Sequence, residues 1–105
     1  MFREYPDFYE GRAIVEIENG LYLRPCIEIF NLFILYPNDV YIAVEREEIE
    51  FRNAKNVSEL LLLLFAIREE SVRVLFDRKP NEIRIDEVVE YFSRFKEILR
   101  ARFLF

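Results

Sequence analysis

Apolar residues recur along this chain in two rhythms, and the order in which they alternate predicts an architecture. From Arg12 to Glu18 the β-branched Ile14, Val15 and Ile17 sit among charges, which suits a strand with one buried face, and Asn19-Gly20 ends it. Cys26 to Leu35 then runs without a breaker as far as Tyr36-Pro37. Pro25 just before it suits a helix's first turn, where its missing N–H has no partner to lose. After a turn at Asn38-Asp39, Val40 to Val44 reads as a strand, Glu45 to Glu48 as a tight turn and Ile49 to Phe51 as the hairpin partner. Asn56 with Glu59 three residues on has the layout of a capping box, each side chain accepting an N–H from the other's backbone, and predicts a helix to about Glu69. Val72, Val74 and Phe76 alternate with Arg73, Leu75 and Asp77 as a further strand, broken at Lys79-Pro80-Asn81. Val88, Phe92, Phe95 and Leu99, three and four apart, form one apolar stripe on a last helix that Asp86 would cap.

The predicted order is strand, helix, strand, strand, helix, strand, helix. It implies an α+β domain with a four-stranded antiparallel sheet and three helices on one face. A ferredoxin-like split motif shares most of this order, so order alone leaves two folds open. We expect one domain over residues 1–105, with 1–11 as an N-terminal extension and 100–105 as an apolar tail.

Composition narrows the functions. A 52% hydrophobic content with two glycines and four prolines argues against disorder. Fifteen basic against twenty acidic residues leave a net charge of −5, which repels a phosphate backbone, and no basic cluster relieves this, so no nucleic-acid partner is expected. One cysteine and no histidine exclude an intrachain disulfide and the usual thiolate or imidazole metal sets, so neither metal nor cofactor is expected. The sole thiol suits a reducing cytoplasm, and the N-terminus lacks a signal-peptide layout. The apolar run from Leu60 to Ile67 is far below the roughly 20 residues of a membrane-spanning helix, so no membrane is expected.

Two short blocks, in matching order, resemble the phosphocarrier HPr family. Gly20-Leu21-Tyr22-Leu23-Arg24-Pro25-Cys26 resembles its active-site segment with Tyr22 where the phosphorylated histidine stands. Asn53-Ala54-Lys55-Asn56-Val57-Ser58 is similar to the approach to the family's second helix, with Asn56 in place of a regulatory serine and Ser58 two residues late. The resemblance implies an HPr-like open-faced β-sandwich and decides between the two folds. It also makes Tyr22 and Asn56 degenerate phosphorylation positions, in a chain without histidine that has no histidine phosphotransfer to perform.

Several residues remain as candidates. By the resemblance, Tyr22 and Arg24 border the N-terminus of the first helix, where unpaired N–H groups and the helix dipole favour an anion and a guanidinium fork grips phosphate or carboxylate. The plain alternative pairs Arg24 with a surface carboxylate and packs Tyr22. Cys26, in the same first turn, is either a core residue or a thiol of lowered pKa, with no general base to serve it. We expect no catalytic residue and no enzyme activity. The first helix is interrupted only by Glu28 and Asn31, and the second is apolar all round from Leu60 to Ile67, more than contact with a sheet requires. HPr docks its partners through these two helices, so the resemblance makes Phe30, Phe33, Leu61, Leu64 and Phe65 interface candidates, for another protein or a second copy. The competing reading covers these faces with the N-terminal aromatics Phe2, Tyr5, Phe8 and Tyr9, or with Phe103-Leu104-Phe105.

Overall fold

Three rungs of side chains crossing the central strands organise the molecule. Tyr9, Phe76 and Val40 form one, Gly11, Val74 and Ile42 the next, and Ala13, Val72 and Val44 the third. Because side chains alternate across a strand, these positions share one face, and it is the buried one. The computed structural model describes residues 2–15, 23–64 and 70–100, with Leu23, Arg24 and Leu64 described through the backbone alone. Its elements run β1 Phe2–Glu4, β2 Phe8–Ile14, α1 Leu23–Phe33, β3 Val40–Val44, β4 Arg52–Asn53, α2 Val57–Leu64, β5 Ser71–Asp77 and α3 Ile85–Arg100. The sheet is antiparallel throughout, in the order β1-β2-β5-β3-β4.

The helices complete the core from one side. Cys26, Ile29, Leu32, Phe33 and Tyr36 come from α1 and its last turn, Leu60 from α2, and Val88, Phe92, Phe95 and Leu99 from α3. The predicted α3 stripe is thus buried in full. Phe33 meets Phe76 edge-on at 5.7 Å between centroids and stacks on Phe95 at 5.3 Å, joining α1, β5 and α3 in one aromatic cluster. Helix α1 lies between α2 and α3, with α2 against β4 and α3 against β2.

The sheet's other face is ionic at its centre. Arg12 and Arg73 stand directly opposite each other, a like-charge pairing that costs stability unless anions intervene. Glu45 intervenes. It accepts from Arg12 Nε at 2.6 Å and stands 3.7 Å from Arg73, while Glu10 lies 3.8 Å from Arg73 on the other side.

Four expectations need correction. The predicted N-terminal extension is part of the sheet: β1 and β2 form a hairpin, so the described residues form five strands, and the first long strand starts at Phe8 rather than Arg12. Phe2 stacks on Tyr9 at 6.0 Å and meets Phe92 at 5.7 Å, which holds β1 at the sheet edge and away from α1 and α2. The partner of β3 is Arg52–Asn53, not Ile49–Phe51, since Ile49 and Phe51 are exposed in the connection and have no packed face to follow. Asp86 does not cap α3, which already begins at Ile85; the carbonyl of Arg84 accepts the first bonds, from the N–H groups of Glu87 and Val88. The capping box at α2 is only half formed. Asn56 Oδ1 accepts the N–H of Glu59 at 3.1 Å, but the Glu59 carboxylate reaches past Asn56 to the N–H of Asn53 at 3.0 Å.

Candidate functional site

The start of α1 is where the anion candidates fall. Helix α1 opens at Leu23, with Arg24 and Pro25 in its first turn. Pro25 and Cys26 are both buried. Burial pushes the Cys26 thiol up to about 11, opposite to the shift a reactive thiolate requires, so the sulfur packs as a small apolar group. Tyr22 lies outside the described residues, and of Arg24 only the backbone is described. Asn56 sits at the other helix start, where its side chain is occupied as the α2 cap, with Ser58 exposed in the first turn beside it.

The interface candidates separate. Phe33 is fully buried between Phe76 and Phe95 and belongs to the core, so its assignment to a docking face is corrected: it lies on the sheet-facing side of α1 with Cys26 and Ile29. Phe30 and Leu61 are half-buried at the margin of the core. Phe65 lies outside the described residues, as does the side chain of Leu64.

Other side chains make the surface. On α1, Ile27 is 40% exposed, and just beyond the helix Ile34 is 48% and Leu35 68% exposed. On α2, Leu62 is 72% exposed. Ile27, Phe30 and Ile34 follow a spacing of three and four, so they form a second apolar stripe on the side of α1 turned from the sheet. This was visible in the sequence as a helix with too many apolar residues. Which of them faced outward depended on the phase of the buried stripe, which the packing of α3 settles.

Two hollows lie beside α3. One of about 160 Å³, between α1 and α3, is lined by Leu32, Leu35, Glu90, Tyr91 and Arg94. Arg94 is paired there with Glu90 at 3.2 Å. Another, of about 370 Å³, is lined by Tyr9, Arg78, Glu82, Ile83, Arg84 and Glu87. Its cations are matched internally: Arg78 lies 4.5 Å over the Tyr9 ring and donates to the Tyr5 carbonyl at 2.7 Å, and Arg84 stands 3.4 Å from both Asp86 and Glu87. Among the described residues, no three Asp, Glu, His or Cys side chains gather as a metal set, and no helix is long and apolar enough to cross a membrane.

No protein-family model matches the chain, and no curated protein matches it by sequence. Its structure is similar to the crystal structure of HPr-C-His from Thermoanaerobacter tengcongensis, with a TM-score of 0.64 over 90% of this chain and 98% of that one, at 16% sequence identity. At that identity the likeness concerns architecture, and it agrees with the open-faced antiparallel sheet and three helices described above: the chain has the HPr-like fold.

Proposed function

We propose that this chain is a non-catalytic HPr-like protein that acts by binding protein through the outer surface of α1 and α2, with a second copy of itself as the first partner. The observation that carries this reading is the exposure of Ile27, Ile34, Leu35 and Leu62 on or just beyond these two helices, the last 72% exposed. Contiguous apolar surface on a folded domain marks a place where another surface is excluded from water with it. The absence of histidine supports a role other than phosphoryl carriage, and the raised Cys26 thiol gives no nucleophile in its stead. Sedimentation equilibrium of the parent against Ile34→Glu and Leu62→Glu tests the reading. A mass that rises with concentration in the parent and stays monomeric in both variants, at unchanged helix content, is expected. A parent that remains monomeric at every attainable concentration overturns self-association.

A further inference from the structure

A further hollow, of about 160 Å³, lies between α2 and the connection from β3 to β4. Its apolar lining is Val44, which is buried, and Leu63, half-buried against the core. Leu62 stands on the rim, 72% exposed, and so projects into solvent instead of filling the space beside it. The rest of the rim carries both signs of charge. Arg52 stands 3.3 Å from Glu50, Arg46 is tied to Glu70 at 2.6 Å, and Glu48 is exposed. Two arginines and two glutamates leave this rim neutral, which favours neither a free anion nor a free cation. The volume is below the roughly 300–1,000 Å³ of a small-molecule pocket and close to the about 150 Å³ in which an apolar cavity takes benzene, so the space suits one aliphatic side chain. Because β4 is the outer strand of the described sheet, a second molecule can reach the hollow from that edge.

We propose that this hollow receives Leu62 of a second copy while its own Leu62 enters the hollow of that copy, across a two-fold axis; this names the contact behind the self-association proposed above and rests on it. Projection and hollow lie side by side on α2, so one rotation satisfies both, as an isologous interface requires: what one copy offers, the other receives. The mixed rim selects the partner. A rim of one sign would repel its own copy, whereas a rim of two arginines and two glutamates meets itself with opposite charges opposed. Leu62 is then the desolvated anchor, and the charged rim keeps water from it.

The test is sedimentation equilibrium of two rim variants of the full chain, alone and mixed. Glu48→Lys with Glu50→Lys makes the rim wholly positive, and Arg52→Glu makes it predominantly negative. Each alone should self-associate at least about ten-fold more weakly than the parent, and an equimolar mixture should recover most of that loss as a heterodimer of opposite rims. None of the three positions is in the core, so helix content should match the parent's. Leu62→Ala, which removes the projection without adding charge, should weaken self-association about as much as either rim variant. If the parent associates while a rim variant or Leu62→Ala associates equally well, or if the mixture is no tighter than its parts, the pairing is overturned and the proposed function stands on other residues of the surface. A parent that stays monomeric at every attainable concentration overturns the pairing and self-association together.

Discussion

Gly11 and Phe92 fit together because Gly11 has no side chain: a Cβ there would stand 2.5 Å from Phe92 Cε1 and 2.6 Å from Cδ1. Glycine weakens a strand interior, so its presence in the middle of β2 needs a reason. The reason is the approach of α3, whose Phe92 ring occupies the place of a missing rung in the sheet's inner face and touches Phe2, Phe76 and Phe95 around it.

Gly11→Ala should therefore destabilise the protein by about 1–3 kcal/mol, the usual result of forcing a methyl into a filled core. Urea unfolding measures it. Adding Phe92→Leu should return part of the loss, and a fully additive double variant would disprove the steric account.

Asn38 is a buried polar side chain whose amide is fully engaged. Its Nδ2 donates to the carbonyls of Asp77 at 3.0 Å and Asn81 at 2.6 Å, and its Oδ1 accepts the Asn81 N–H at 2.8 Å. This ties the loop before β3 to the loop after β5. Asn38→Leu strands the Asn81 groups and should cost about 1–3 kcal/mol in chemical denaturation. Asn81→Ala, which loses only a bond from its own amide to the Pro37 carbonyl, should cost less.

Two carboxyls should titrate against stability in opposite directions. Burial, then the charges of Asp39 and Asp7, raise the Asp77 pKa. A raised carboxyl contributes its stability below the unfolded pKa and loses it as pH rises through the folded value, so Asp77→Asn should stabilise at neutral pH and the gain should vanish in acid. Glu45 is the reverse. The hydrogen bond from Arg12, and then the charges of Arg12 and Arg73, lower its pKa against the opposing effect of burial. Its contribution is present above the unfolded pKa and lost as pH falls through the folded one, so Glu45→Gln should destabilise near neutrality and match the parent in strong acid. Urea midpoints across that pH range check both signs.

The Cys26 thiol, buried and raised, should react with a disulfide reagent only when the chain opens. Native protein is expected to label slowly, at a rate that climbs with urea in step with unfolding. Fast labelling in native buffer would contradict the buried assignment.

Much of this was legible in the sequence wherever one period dominated. The stripe Val88, Phe92, Phe95, Leu99 and the alternation Val72, Val74, Phe76 each bury one face, and both elements fall where expected. The β1 hairpin was not legible, because three residues before Pro6-Asp7 carry too few repeats to show a period. The start of β2 was masked by Gly11, which reads as a breaker until Phe92 is seen beside it. The candidate surface was half legible: excess apolar residues on α1 and α2 announced it, but Phe33 turned inward and Ile27 and Ile34 outward. That division follows from how α1 is rotated between the sheet and α3, which single-helix periodicity does not contain.

The end of α1 is fastened from two sides. Lys55 Nζ, from the β4–α2 connection, donates to the Tyr36 carbonyl at 2.6 Å, and Tyr91, from α3, donates to the carbonyl of Leu35. A one-turn slip of α1 along its neighbours would break both bonds at once. The end of α1 is therefore held in register with α3 and with the approach to α2, and a molecule docking on the surface proposed above would meet a shape already set. The ordering entropy that a loop-borne site loses at each encounter was given up here when the chain folded.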